Sequence, residues 1–415
     1  MTRLAEELSD NRFGLFGQVT TERLAAPSPR WWISNAVLAR APVGTAFSAE
    51  HAASAGTSID LSEATTRAIG EGAERYSAMN AQTPLMMIPM SSLRIEAPRC
   101  DPSEAGTAWL APADGTGEVT VTELVTLAEG STVLVPATMA CLNFMPAAPE
   151  RPITLPISTG LAFAPTLTGA LWRGLCEVAE RDALMRMWWC RTPLPRVTFK
   201  TSKRVPITLR LRLRELERSG RSVHLFSLTD DFPAPGCFCV IESPSYPRIS
   251  CGAAVKDDLA SACSKAIDEA VSLLAIAPHW QREGRRSPAA ARDVTTLEDH
   301  AMFYADGEHR VAFNFLLDDA PAIEFDEVAT TSWSEPTTWD DLHRLAVSFR
   351  DAHHWDVLWM DLTATEVKPY GHVVKVVVPQ MIPLSPDHNA AYLGTARITQ
   401  NRPIGGFNVH PHPFA

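Results

Sequence analysis

Two stretches of this chain are near copies of each other, and they constrain the fold more than any other feature. Residues 67–75 read Arg-Ala-Ile-Gly-Glu-Gly-Ala-Glu-Arg, and residues 173–181 read Arg-Gly-Leu-Cys-Glu-Val-Ala-Glu-Arg. A shorter echo, Lys-Ala-Ile-Asp-Glu, occupies residues 265–269. In all three a basic residue stands four positions before a glutamate, one turn apart on a helix. Glu71 and Glu74 are three apart and share a helix face with Arg67; Glu177, Glu180 and Arg173 repeat the arrangement. Alone, such a string is ordinary on a solvated helix, where i,i+4 pairs add only about 0.2–0.5 kcal/mol. Here the glutamates flank the apolar stripe instead of opposing it, and Gly70, Gly72, Ala73 and Ala179 beside them permit close helix approach. Convergence of the three helices would set Glu71, Glu74, Glu177, Glu180 and Glu269 around one point, an oxygen-rich cage suited to Mg²⁺. Arg75, Arg181 and Lys265 would then reach phosphate oxygens.

The remaining pattern supplies a scaffold. Helices are expected over 62–79, with Ser62 as N-cap, over Thr168–Trp189, over 205–219, over Leu259–Ile276 with Asp257 or Asp258 as cap, and over 337–352. Strands are expected at Trp31–Leu38, Val119–Val121, Thr132–Val135, Val223–Leu228, Phe238–Ile241, Ser250–Gly252, Trp355–Leu362 and His372–Val378. Residues 280–300 read as a surface loop, Gly56 as a turn, and His353-His354 as a loop or helix-end pair. This mixture points to an α/β or α+β fold. No low-complexity linker divides the chain, so the expected organisation is a lead-in over 1–50 and a catalytic domain over 51–415 that ends in a Pro-rich tail.

Composition narrows the function. A formal net charge of -11 disfavours a nucleic-acid surface but is compatible with a nucleotide carried on carboxylate-bound magnesium. The eight cysteines form no C-x-x-C pair, which argues against structural zinc; Cys237 and Cys239, two apart on one strand face, read as small buried residues, as do Cys176 and Cys263. No G-x-x-x-x-G-K-[ST] or G-x-S-x-G string occurs. The charged stretch Met1–Val19 lacks a signal-peptide core and no run of about 18 apolar residues exists, so no membrane span and a cytoplasmic location are expected.

These residues resemble the YcaO family. The resemblance is carried by Gly70-Glu71-Gly72-Ala73-Glu74-Arg75-Tyr76-Ser77, by Leu175-Cys176-Glu177-Val178-Ala179-Glu180-Arg181-Asp182-Ala183, and by Lys265 with Glu269. Its azoline-forming branch is matched by Asp361-Leu362-Thr363, Val376-Val377-Val378-Pro379, Leu393-Gly394-Thr395-Ala396-Arg397 and the ending Pro411-His412-Pro413-Phe414-Ala415. The chain departs from the family pattern at Thr159, at Pro165 and Gly169 where an Asn and a Glu are expected, at Lys265 in place of Arg, and at Ala415 in place of a final Pro.

The resemblance implies an α+β fold of several β-sheets with ATP-binding helices converging on one site. It implies ATP-dependent conversion of Cys, Ser or Thr in a ribosomally made precursor peptide to thiazoline or oxazoline, by phosphorylation of the amide oxygen. Carried over by position, Glu71, Glu74, Glu177, Glu180 and Glu269 would hold Mg²⁺, and Arg75, Arg181 and Lys265 would contact ATP. Pro411, Pro413 and Ala415 would fold back and act in the active site. A separate leader-binding partner, E1-like or ThiF-like, would deliver the peptide; a homodimer is compatible. Thioamide or amidine formation, and a non-catalytic scaffold of a peptide-modifying complex, are the alternatives.

Overall fold

Each glutamate string lies in a helix that follows a strand after a tight turn. The computed structural model describes residues 8–9, 14–24, 29–39, 53–100, 117–228, 231–318, 320–328 and 333–414. The first half runs β1 (Phe16–Arg23), β2 (Trp32–Leu38), β3 (Ala53–Ser58), α1 (Leu61–Asn80), β4 (Met86–Pro89), β5 (Glu118–Thr126), β6 (Thr132–Pro136), β7 (Leu161–Ala164) and α2 (Leu167–Cys190). Then follow β8 (Arg196–Thr198), α3 (Ile207–Arg218), β9 (Ser222–Ser227), β10 (Gly236–Glu242), β11 (Ile249–Val255), α4 (Leu259–Arg282) and α5 (Leu297–Ala305). The last elements are β12 (Ala322–Glu324), α6 (Trp339–His353), β13 (Leu358–Asp361) and β14 (His372–Val377), with single helical turns between some of them.

The strands form three sheets. The first has the order β1-β2-β3, the second β11-β10-β9-β8-β12, and the third β4-β5-β13-β14-β7 with β6 also paired to β5. Pairing is antiparallel except between β8 and β12. Each sheet carries one glutamate helix: α1 packs on β3, α4 on β11, and α2 on β14 and β7. This is the α+β arrangement with helices converging between sheets.

Two glycines set how closely the helices dock. Gly56 lies in the middle of β3, opposite Ser34 of β2, and is not a turn residue as the sequence suggested. A Cβ there would lie 2.0 Å from the Ala64 carbonyl oxygen and 2.6 Å from the Ala68 nitrogen of α1. Gly252 plays the same part in β11, where a Cβ would lie 2.3 Å from the Ala266 oxygen and 2.5 Å from the Ala270 nitrogen of α4. Only a residue without a side chain lets strand and helix backbones come this near.

Helix boundaries follow capping chemistry. The cap of α1 is Asp60, not Ser62: its carboxylate accepts the Glu63 N–H, and a carboxylate also meets the helix dipole favourably. Thr166 caps α2 and Asp258 caps α4 in the same way. Residues 280–300 are not simply a loop. Helix α4 runs through Pro278 to Arg282, and α5 starts at Leu297 behind a capping box of Thr296 and Asp299. His354 ends α6 in the left-handed region at φ 58°, the helix-end role expected for the His353-His354 pair.

The largest apolar cluster surrounds the second half of α2. Trp188 and Trp189 meet Phe226, Phe238, Tyr304, Phe313, Tyr392 and Phe414 there. All eight cysteines are free thiols, buried or half-buried, and burial pushes the Cys100 thiol up to about 12. The small-residue reading of Cys237, Cys239, Cys176 and Cys263 therefore holds. Among the described residues no helix is long and apolar enough to cross a membrane.

The docking geometry makes opposite predictions for two glycines. Gly252→Ala forces a methyl group onto the α4 backbone and should cost about 1–3 kcal/mol, seen as a lower Tm. Gly70→Ala meets only Phe163 Cδ1 at 3.6 Å and replaces a mid-helix glycine, so it should raise stability by about 0.5–1 kcal/mol in the same thermal melt.

Candidate functional site

The three helices place their glutamates by a common ruler. Glu71, Glu177 and Glu269 each stand eleven residues after the capping residues Asp60, Thr166 and Asp258. At about 1.5 Å per residue that is three turns, or roughly 16 Å, along each helix. One turn further, α1 and α2 carry Glu74 and Glu180, whereas α4 carries Ser272, bonded to Thr57 Oγ1 at 2.7 Å. The third helix thus contributes a single carboxylate, as its shorter string implies.

Four of the five carboxylates accept a strand N–H, and two of those also pair with a cation one turn away. Glu71 accepts the Ala55 N–H of β3 at 3.0 Å and pairs with Arg75 at 2.6 Å. Glu269 accepts the Ala253 N–H of β11 at 3.4 Å and pairs with Lys265 at 3.0 Å. Glu74 reaches across to β7 and accepts the Phe163 N–H at 2.7 Å, while Arg173 donates to the Phe163 carbonyl at 3.1 Å. Glu180 accepts the Val255 N–H at the end of β11 at 3.2 Å. Arg67 turns away from Glu71, despite sharing its face, and pairs with Glu63 and with the buried Asp268 at 2.8 Å.

Arg181 is the exception, since it serves several glutamates at once. Its Nε lies 3.5 Å from Glu180 and 4.0 Å from Glu177, and this buried N–H has no hydrogen-bond partner. An unsatisfied buried donor on a guanidinium is costly unless a ligand oxygen completes it.

The electrostatics of crowding are plain. Burial pushes Glu74 up to about 8, helped by the charges of Glu177 and Glu71 and opposed by the Phe163 N–H. Burial likewise pushes Glu177 up to about 7, with Glu180 and Glu269 adding to it and Arg181 opposing. Glu180 is raised for the same reason, burial first. Burial acts the same way on Glu269, but there Lys265 and Arg181 outweigh it and hold the carboxyl below its ordinary range. A site where several carboxylates resist ionisation together is a site that a divalent cation would relieve.

Among the described residues no three Asp, Glu, His or Cys side chains are grouped so as to hold a metal ion by themselves. Glu71 and Glu269 are engaged by cations one turn away, and Glu74 and Glu180 by strand N–H groups. This does not make the donors unfit for magnesium. Mg²⁺ usually keeps water and binds through one or two carboxylates plus substrate phosphates, not through an all-protein cage. Half-buried glutamates beside the unfilled Arg181 donor match that requirement.

The C-terminal segment is placed differently from the glutamates. Pro411 and Pro413 are buried. The Pro411 carbonyl accepts the Tyr304 hydroxyl, and Phe414 packs edge-on against Phe238 with centroids 5.4 Å apart. Neither proline carries an ionisable group, and both lie in the buried end of the chain. His412 between them stacks on His300 at 3.7 Å, and burial above all, with the neighbouring His300, pushes its imidazole well below the ordinary value. Ala415 lies outside the described residues.

Three features escaped the sequence reading. Lys375 of β14 is buried and donates to the Ile157 and Thr159 carbonyls at 2.7 and 2.8 Å; burial lowers it to about 8, with Glu177 nearby. A lysine inside the run Val373–Val378 was a readable signal, because a charge in an apolar strand needs a partner. Asp268 binds Trp31, Arg67 and Arg212 beneath the site, and its place beside Glu269 gave no hint of that. At Gly169, where the family pattern carries a Glu, Glu335 Oε1 lies 2.9 Å from the point a Cβ would occupy.

The raised carboxyls dictate a pH dependence. From the ordinary value of 4.5 up to about 8 the folded protein binds more protons at Glu74 than the unfolded chain, so stability without metal should fall as pH rises through that window. Magnesium requires the ionised carboxylates, so its binding should release protons and tighten by at least about tenfold from about pH 6 to about pH 8. Calorimetric titration of Mg²⁺ with a non-hydrolysable ATP analogue, in buffers of different ionisation enthalpy, measures both.

Comparison with known proteins agrees with this geometry. The family model described as YcaO cyclodehydratase, ATP- and Mg²⁺-binding, matches residues 55–382. No curated protein sequence matches significantly. Among solved structures, one similar fold is a heterocyclase in complex with substrate and cofactor, with TM-score 0.74 and 18% identity over 99% of this chain; the chain spans 56% of that protein's length. Another is YcaO from Methanopyrus kandleri bound with AMPPCP and Mg²⁺, with TM-score 0.64 and 18% identity, covering 90% of this chain and 88% of that one. A third is the E. coli microcin synthetase McbBCD complex with pro-MccB17 bound, with TM-score 0.62 and 16% identity over 96% of both chains. With a family match across most of its length and a glutamate ruler repeated on three helices, the chain belongs to the YcaO family of ATP- and Mg²⁺-binding cyclodehydratases.

Proposed function

We propose that this protein is an ATP-dependent cyclodehydratase that converts Cys, Ser or Thr residues of a ribosomally made precursor peptide to azolines. The observation that carries the reading is the Arg181 Nε–H, buried without a hydrogen-bond partner between Glu177 and Glu180 on a helix inside the family match. It is a donor prepared for an anionic oxygen in a cluster that also calls for a cation.

In this reading Glu71, Glu74, Glu177, Glu180 and Glu269 face Mg²⁺, which supplies charge neutralisation for the phosphates when bound. Arg75, Arg181 and Lys265 stabilise the charge of the transferring phosphoryl group, which is where electrostatic stabilisation matters most. The substrate side-chain sulfur or oxygen attacks the preceding amide carbon. The amide oxygen, phosphorylated by ATP, then leaves as phosphate as the nitrogen loses its proton, and the ring closes with net loss of one water from the peptide. Lys375 holds the 157–159 loop against β14. A separate protein that carries the precursor's leader is the expected partner, in keeping with the multi-protein microcin synthetase of similar fold.

The test uses the purified chain, a Cys- and Ser-containing precursor with its leader-binding partner, ATP and Mg²⁺, read by mass spectrometry. One water mass should be lost per ring. Glu74→Gln copies the neutral form that the site already favours near pH 7, so the fold should persist while ring formation falls by about a hundredfold or more. ATP consumption without water loss, restored to product by added sulfide, would replace this reading with thioamide formation.

A further inference from the structure

One buried ion pair lies next to the site but outside the glutamate cluster. Asp182, the residue after Arg181, is 1% exposed. Arg397 grips it as a fork: Nε lies 3.0 Å from Oδ1 and an η nitrogen 2.7 Å from Oδ2. The same guanidinium reaches Asp231 at 3.1 Å and lies over the Trp355 ring at 4.8 Å. Asp182 is bound on its other sides by Arg186 at 2.9 Å and by the Ile382 N–H at 3.1 Å. A planar bidentate pair at low exposure is directional in a way a lysine contact is not. It is also hard to dissolve, because losing one partner strands the other charge in the protein.

Beyond Arg397 the chain is laid along the last turns of α2. The Ile398 carbonyl meets Cys190 Sγ at 3.9 Å. The Asn408 N–H donates to the Trp189 carbonyl at 2.9 Å, and the His410 carbonyl accepts Trp188 Nε1 at 2.9 Å. The segment then ends in the buried run His412–Phe414, where the Arg181 charge already bears on His412. Arg397 thus makes the carboxylate pair at one end of a strap whose further contacts around the end of α2 are hydrogen bonds, the Arg191 guanidinium to the Gly406 carbonyl at 2.8 Å among them, and it closes on the residue adjoining the phosphate-facing Arg181.

We propose that Arg397 is a positioning residue: by clamping Asp182 it fixes the register of α2 and the path of segment 398–414 around the nucleotide site. This deepens the reading of that site as an ATP-dependent ring-closing centre and rests on it. Arg397 touches no reacting atom and acts through Asp182.

The experiment compares the full-length wild type, Arg397→Ala, Arg397→Lys, Asp182→Asn and the Arg397→Ala/Asp182→Asn double variant, well below each Tm. Readouts are kcat and KM for ATP in the peptide assay, affinity for a non-hydrolysable ATP analogue with Mg²⁺, and hydrogen exchange of the 398–414 amides. Arg397→Ala should lower kcat about tenfold, equivalent to about 1.4 kcal/mol. KM for ATP and analogue affinity should move less than threefold, and exchange of the 398–414 amides should rise about tenfold. Arg397→Lys should recover only part of kcat, because charge without the fork does not orient the carboxylate. The double variant should be no slower than the worse single variant, the mark of one shared interaction. Wild-type kcat in Arg397→Ala, unchanged exchange, or losses that multiply in the double variant would overturn the proposal. A wild type that closes no ring and binds no analogue would instead overturn the reaction assigned to the site, while exchange would still show whether Arg397 fixes the segment.

Discussion

The structure is organised around a cost: several carboxylates share a half-buried recess. Burial first, and then the like charges nearby, raise such carboxyls, and Glu74 and Glu177 stand at about 8 and 7. A fold can hold such a cluster only if each charge is compensated locally. Here compensation comes in two forms, an arginine or lysine one turn away and a strand N–H across the helix–sheet contact. Arg181 is shared among three glutamates and is left with an unfilled donor, so the balance is incomplete without a further anion and cation.

Local compensation depends on close docking. Glu71 reaches the Ala55 N–H because Gly56 lets β3 lie against α1, and Glu269 reaches the Ala253 N–H because Gly252 does the same for β11 and α4. A methyl group at either glycine would hold strand and helix apart and lengthen the very bonds that neutralise the glutamates. Packing and electrostatics are therefore one design here. The common distance from cap to glutamate, eleven residues on α1, α2 and α4, brings the three carboxylates to equivalent depths along their helices.

Much of the local structure was legible. The helix-bearing strings, a cap for α4 at Asp257 or Asp258, a loop or helix end at His353-His354 and the burial of the cysteines all follow from spacing and side-chain chemistry. The misreadings share a cause. Gly56 looked like a turn because a lone glycine usually marks one, and only the approach of α1 makes it a contact residue. Ser62 read as the cap where Asp60 serves, and α5 read as part of a loop, because caps are short signals inside a polar stretch. Arg67 was placed with Glu71 by helix geometry, yet Asp268, two hundred and one residues away, is the stronger attractor because it is fully buried.

What the sequence determined by itself was the inventory: which helices carry carboxylates, at which spacing, with which cations beside them, since helix periodicity is a local property of consecutive residues. Tertiary structure alone decided which charge answers which. Arg397 belongs to Asp182, Lys375 to the loop carbonyls at Ile157 and Thr159, and Trp31 to Asp268. Each of these pairs joins residues more than two hundred positions apart, and burial strength, not sequence distance, selects the partner in a low-dielectric interior. The strings announced a phosphate- and magnesium-directed chain; the long-range pairs turn those strings into three helices meeting at one place.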